Sequence, residues 1–386
     1  MPSNRTRRPR GQALVIFAGG LIAIIVGVGL VIDIGFAWAE QRNVQNGADA
    51  SARAGAVILA EAQADPANGK TSLDVWNAMT ATATQNDVTI DTAFYTDWQG
   101  NDLDGGTDAD PDGTGTGWGS PVTPGGAIPA NASGVLVNAE KAVGTYLVSV
   151  IGIDHWDVGQ PATAVAGPSS GCLDTEEGCS LLPITFPVTV FACTDNGKTQ
   201  PVDPPQTWAT GQLLTLPICG GNPGSVGWLD WTPPAGGSSE LADVIANPPD
   251  DLEIPLPSWQ YVTQTGDISS APVENALNVY GGDIVLVPFF DSTCNVTPTN
   301  QELSGCATPG GTGVNQWYHI TKFLALQLAD PGAFVNGNND AICAVTNATE
   351  CLKGTFVTFI TEGAVGAPCP PAGCEEGTAF AVQLIR

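Results

Sequence analysis

The chain has 386 residues, enough for two or three domains, with 39 acidic against 12 basic side chains and a formal net charge of −27. Four of the bases, Arg5, Arg7, Arg8 and Arg10, crowd the first ten positions, so from Asp33 onward 39 acids face 8 bases. Such a surface repels phosphate backbones and argues against nucleic-acid binding; it also repels anionic lipid and favours solubility or cation binding.

The basic tail is followed by a charge-free run of 22 residues, whose apolar part is Leu14 to Ile32. As a helix those 19 residues span about 28 Å, the thickness of a bilayer's hydrocarbon core. Asp33 then stands at the far interface, and the arginines predict a cytoplasmic N-terminus with the rest of the chain outside. The rival reading is a cleavable signal peptide, for which Ala37-Trp38-Ala39 supplies a small-x-small cleavage pattern; the apolar run exceeds the ~7–15 residues of a signal's core. Past Asp33 the chain lacks proline and is rich in alanine, so the helix is predicted to continue to about Ala62 as a stalk. Gly19, Ala23 and Gly27 repeat every four residues, a face that admits another helix or reflects the ordinary composition of membrane helices.

A short helix is predicted over Val75 to Gln85 and a strand over Val88 to Tyr95, where apolar and polar residues alternate. Asn101 to Gly119 reads as a loop. Then come a strand (Gly134 to Ala139), a short amphipathic helix (Val143 to Ile151) with Val143, Tyr146, Leu147, Val150 and Ile151 on one face, and a strand (Trp156 to Val165). From Pro168 on, short apolar runs separated by glycine and proline predict a sandwich-like, mostly β region. All ten cysteines lie there: five disulfides are expected, paired between neighbours from Cys172–Cys179 through Cys193–Cys219, Cys294–Cys306 and Cys343–Cys351 to Cys369–Cys374. The fold class is α+β: a basic cytoplasmic tail (1–12), a transmembrane helix and stalk (13–62), a small α+β segment (63–167) and a disulfide-stapled, mostly β ectodomain (168–386).

The segment from Arg10 to Ala56 resembles the N-terminus of the TadE/TadG-like proteins of Flp (tight-adherence) pilus assembly. The resemblance rests on Arg10-Gly11-Gln12, the apolar span, Asp33 with Gly35, the Gln45 stretch and Ala48-Asp49-Ala50; Val135 to Gly167 is similar to the region that follows in that family. Gly221 to Trp231 looks like part of the ectodomains carried on such anchors. The chain departs from the processed pilin pattern, because Gly11 is followed five residues on by Ile16 rather than glutamate. The resemblance therefore implies an unprocessed, membrane-anchored, non-enzymatic component of pilus assembly or display, whose partners are other pilus-assembly proteins met through the helix and stalk. The alternative is a surface adhesin or binding module on the same anchor.

Asp108, Asp110 and Asp112 open a D-x-D-x-D-G pattern that aims three carboxylates around a glycine turn, as calcium loops do. They are the candidate metal ligands, with Asp102 and Asp104 as reserves, since the twelfth position is Gly119 rather than glutamate; the competing reading is a solvated acidic loop. No other cofactor is indicated. The metal-site pattern of von Willebrand A-type domains is incomplete at both Asp291 and Asp267. A general base is most often histidine, and only His155 and His319 exist, both read as packing or surface residues. Trp228, Trp231 and Trp259 either line a contact surface or fill the core between sheets.

Overall fold

The computed structural model describes residues 12–103, 119–147, 149, 152–170, 181–194, 199–203, 208, 210–219, 227–229, 231, 237–247, 254–264, 270–310, 316–336, 339–348, 350–366 and 378–385. In chain order its elements are α1 (Gln12–Ala64), α2 (Ser72–Gln85), β1 (Thr89–Thr96), β2 (Gly134–Gly144), β3 (His155–Pro168), β4 (Ile184–Pro187), β5 (Phe191–Cys193), β6 (Thr199–Pro201), β7 (Leu213–Ile218) and β8 (Gly227–Leu229). They continue with α3 (Ser238–Ala246), β9 (Ser258–Gln264), α4 (Ala271–Val279), β10 (Ile284–Cys294), β11 (Gln316–Leu328), β12 (Phe334–Asn336), α5 (Ala341–Val345), β13 (Glu350–Phe356), β14 (Phe359–Glu362) and β15 (Ala379–Ile385).

Helix α1 runs 53 residues without a break because nothing in it interrupts the ladder, and it stops one residue short of Asp65-Pro66, where the proline ring disfavours helical geometry at Asp65. Its C-terminal half lies on a five-stranded sheet of order β1-β2-β3-β15-β14. The contact is built from small residues: Ala48, Ala52, Ala56 and Ala60, four apart on the helix, meet the inward-facing Val135 and Val137 of β2 and Ala162, Ala164 and Ala166 of β3. Helix α2 covers the flank with Val75, Met79 and Ala83, a spacing of four that puts all three on one face. Its start is fixed by the Asp74 carboxylate, which accepts from Thr71 N at 2.8 Å and Thr71 Oγ1 at 2.7 Å.

Strands β2 and β3 form an antiparallel hairpin in register from Gly134↔Val165 to Gly144↔His155. Over 143–147 this corrects the amphipathic helix expected over 143–151; residues 148, 150 and 151 lie outside the described residues. Val143 and Gly144 close the strand, and 145–147 are irregular chain bound to a distant part of α1. Strands β14 and β15 lie in sequence within the cysteine-rich region and in pairing within this first sheet, with β15 antiparallel to β3 and β14 parallel to β15.

Between β3 and β14 the chain builds a second sheet. The pairings β10–β4, β4–β8, β8–β9, β9–β11 and β11–β10 return to their starting strand, so five strands close on themselves. The expected sandwich is therefore replaced, among the described residues, by one eight-stranded mixed sheet and the small antiparallel pair β5–β6. Strand β11, 13 residues long, pairs β9 with its first half and β13 with its second, and irregularities at Phe289/Phe290 and Phe290/Ser292 accompany the change. Gly227 is required inside the ring: a Cβ there would stand 2.9 Å from Val262 Cγ2 and 3.3 Å from Tyr318 Cζ. Helices α3 and α4 help close the larger core, where Trp208 meets Phe191, Phe289 and Phe356 edge-on at about 6 Å between ring centroids. Trp228 and Trp259 are buried, which places both in the protein interior. Three of the expected disulfides are present, Cys193–Cys219, Cys294–Cys306 and Cys343–Cys351; Cys172–Cys179 and Cys369–Cys374 lie outside the described residues. Long N-terminal helix, helix-packed sheet and stapled β region make the whole α+β, in agreement with the sequence.

Candidate functional site

The chain's most distinctive arrangement lies where α1 leaves its charge-free run. From residue 14 to residue 32 only Gly29 is buried; the leucines, isoleucines, valines and Phe17 stand exposed. Among the described residues this is one helix long and apolar enough to cross a membrane, its most apolar 18-residue window having a mean hydropathy of 2.9.

Asp33, the first charge, is nonetheless only 3 % exposed. The connection after β2 descends beside the helix, and its backbone amides meet the carboxylate: Tyr146 N donates to Oδ1 and Leu147 N to Oδ2, each at 3.0 Å. Two donors on two oxygens satisfy a carboxylate at the edge of an apolar helix, where water is scarce. Leu147 closes the gap below. A Cβ on Gly29 would lie 2.8 Å from Leu147 Cβ, so glycine makes the room for this side chain. Above, the Tyr146 ring meets Phe36 edge-on at 5.5 Å.

One turn further up, ionic contacts replace apolar ones. Lys141 Nζ on β2 lies 3.0 Å from Glu40 Oε2 and 2.9 Å from Asp87 Oδ2. Hydrogen bonding from Lys141, then from Asn43, holds the Glu40 carboxyl below its ordinary range; bonding to Asp87 and then Glu40 raises the Lys141 ammonium. Arg42 stacks its guanidinium 5.2 Å from the Trp38 ring centre, and Gln45 Nε2 donates to Asp49 Oδ1 and Pro161 O. The helix thus passes from bare and apolar, through a clipped carboxylate, to a polar and then tightly packed stalk within about 15 residues.

Residues 11–60 match the family model described as putative Flp pilus-assembly TadE/G-like. The resemblance seen in the sequence holds over those residues. The match covers the bare helix, Asp33 and the packed half of α1, and it supports a role in Flp pilus assembly. No curated protein and no solved structure matches the chain.

The other nominated residues fall elsewhere. Asp108, Asp110 and Asp112 lie outside the described residues, as does Asp104. Asp102, at the base of that loop, is buried and accepts from Gly119 N at 3.3 Å. Among the described residues no three His, Cys, Asp or Glu side chains gather as a metal site. Asp291 is exposed, with Oδ1 2.8 Å from His319 Nδ1, while His319 Nε2 lies 3.2 Å from Gln301 O and the Trp259 ring lies tilted against the imidazole at 4.8 Å. With both ring nitrogens engaged and 3 % exposure, His319 is a packing residue, as its strand-like surroundings in the sequence suggest. Burial lowers the nearby Lys322 ammonium to about 8, with Asp291 opposing the shift. His155 is exposed.

In the sequence Asp33 marks only the end of the span. Its partners sit more than 110 residues away, in a stretch whose apolar spacing imitates a helix.

Proposed function

We propose that this protein is a non-enzymatic, single-pass membrane component of Flp pilus assembly or display, with a cytoplasmic N-terminus and an extracellular head. The observation that carries the reading is the division of α1 within the family-matched segment: among the described residues, bulky apolar side chains stand exposed up to Ile32, and small residues are locked into the head from Val44 on. A helix of this kind is stable only if lipid, or neighbouring helices in lipid, surrounds its first half. The arginine-rich tail orients it N-in. A Cβ added at Gly19 or Gly27 would meet no described atom within 4 Å, which leaves that small-residue face open to helices of other pilus-assembly proteins. The absence of glutamate five residues after Gly11 supports an anchored accessory role rather than incorporation into the filament core.

Mass spectrometry of the N-terminal peptide, from sheared surface filaments and from membranes, tests this reading. An uncut N-terminus confined to membranes is the expected result. A chain cut near Gly11 and recovered in filaments would make it a minor pilin, and recovery of an uncut chain from the soluble fraction would remove the anchor.

A further inference from the structure

We propose that the β2–β3 hairpin tip is a second membrane contact, with Tyr146, Leu147 and Ile153 seated in the boundary between headgroups and acyl chains of the outer leaflet. The inference rests on the reading of α1 as a membrane span and adds a surface that the span does not predict.

Depth is the first argument. Leu147 packs on Gly29, four residues inside Asp33. At ~1.5 Å rise per residue that sets its side chain about 6 Å toward the membrane interior from the carboxylate. Interfacial apolar groups sit about 5–10 Å into that boundary. The two Asp33 hydrogen bonds and the Phe36–Tyr146 contact tie the tip to the helix, so whatever medium surrounds residue 29 also meets Leu147.

Exposure is the second. Tyr146 is 65 %, Leu147 41 % and Ile153 40 % exposed, and Phe36, which the Tyr146 ring meets, is itself 38 % exposed. The patch continues the bare apolar surface of α1 without a break in character. Chemistry is the third. Thr145 to Ile153 contains no charged residue, whereas Asp154, His155 and Asp157 begin directly above. Tyrosine and tryptophan, with an apolar ring and a polar end, favour this depth. Two amide donors on Asp33 lower the cost of holding its carboxylate at the boundary. A bilayer surface fits these features better than a soluble protein, which would have to enter lipid to reach Leu147.

The test uses the full chain reconstituted in phosphatidylethanolamine–phosphatidylglycerol vesicles. A fluorophore is placed on Tyr146→Cys, Ile153→Cys, Ile25→Cys or Asn77→Cys, and lipids carry a nitroxide at a shallow or a deep acyl position. Two tip positions are used so that a folding defect in one does not decide the outcome. Labels at 146 and 153 are expected to be quenched at least twofold by the shallow nitroxide, the label at 25 most by the deep one, and the label at 77 by neither. Leu147→Glu, combined with the label at 153, should abolish the shallow quenching. Unquenched tip labels beside a quenched label at 25 would overturn the tip contact and leave the span intact. An unquenched label at 25 would overturn the span and the tip contact together. Energy transfer between tip labels on two copies, without quenching, would assign the patch to a protein interface and overturn the lipid contact.

Discussion

The two halves of α1 show that hydrophobicity alone does not decide what a folded chain buries. Residues 14–32 are dominated by large apolar side chains, and Leu14, Val15, Phe17 and Val31 are each at least 70 % exposed. Residues 44–60 are mostly alanine, glycine and serine, and there Val44, Ala48, Ala52 and Ala56 are completely buried. The second half is inside because its residues are small. Ala against Ala brings helix and sheet backbones close, and interiors packed at crystal-like density reward that fit. The first half is outside because its burial belongs to another solvent. One continuous helix therefore carries two folding codes, and Asp33 with its two amide donors marks the seam.

The largest test of this contrast removes apolar volume from each half. Leu59, 1 % exposed, is one of the few large side chains on the packed face. Leu59→Ala is expected to cost about 2–5 kcal/mol in denaturant unfolding of the head, through lost transfer energy and a residual cavity. Ile25→Ala, measured on the same full chain in detergent, should leave the head's midpoint unchanged. Equal losses would mean that the bare half packs on the head after all. The converse test adds volume. A Cβ at Gly55 would meet Met79 Cγ at 2.8 Å and Val135 Cγ2 at 3.0 Å, both on fully buried residues. Gly55→Val should destabilise the head by ~1–3 kcal/mol, with better helix propensity returning a few tenths. Gly20→Val meets nothing within 4 Å and should be silent in the same assay.

How much of this could be read from sequence follows the range of the interactions. The extent of α1 was legible within two residues, because alanine content, the lack of proline and Pro66 are local signals. The alternation in Thr89–Thr96 and the long apolar run of β10 were legible for the same reason, whereas the run that forms β11 fits a short helix nearly as well as a strand. Neighbour pairing succeeded at Cys193–Cys219, Cys294–Cys306 and Cys343–Cys351, since loops of 8 to 26 residues close at modest entropic cost. Helices α3 and α4 were missed. Each has nine residues, too few for a clear period, although Ser270 followed by Pro272 and Glu274 was a readable start signal for α4. The connection after β2 was misread because Val143, Tyr146 and Leu147 have helical spacing by coincidence. Its true determinant is a carboxylate 113 residues earlier, and no local pattern encodes that. Closure of the second sheet was equally hidden, as it depends on β10 meeting β4 about a hundred residues away. The carboxylates nominated for calcium lie outside the described residues, so the loop test is chemical: if it is a solvated acidic loop, adding or chelating calcium will not move the unfolding midpoint, whereas a rise with calcium would favour the adhesin reading.

Breaking the seam itself should have a more local effect. Asp33→Ala removes the acceptor of two amides whose replacement partners are scarce beside an apolar helix. A loss of about 1–3 kcal/mol is expected, concentrated in the tip: hydrogen exchange at Tyr146 and Leu147 should speed up, while exchange in β2 from Gly134 to Ala139 stays slow. Uniform acceleration across β2 would show that the clip supports the whole sheet and does not merely hold the tip against the span.

The smallest effect is expected one turn above, and its pH dependence distinguishes it from packing. Lys141 joins Glu40 on the helix to Asp87, with side chains of Lys141 and Glu40 25 % and 15 % exposed. A part-exposed pair of this kind contributes under about 1 kcal/mol. The Glu40 carboxyl is held below its ordinary 4.5, so its share of stability is present above that value and disappears as pH falls through its folded-state pKa. The Lys141 ammonium is held above its ordinary 10.5, so its share is present below that value and disappears as pH rises through its folded-state pKa. Lys141→Met should therefore be slightly less stable than the parent chain at pH 7, with the difference shrinking below about pH 4 and again in strong alkali. A difference independent of pH would mean that the lysine's methylenes, packed along α1, matter more than its charge, and the stalk above the seam would then be held by close packing throughout.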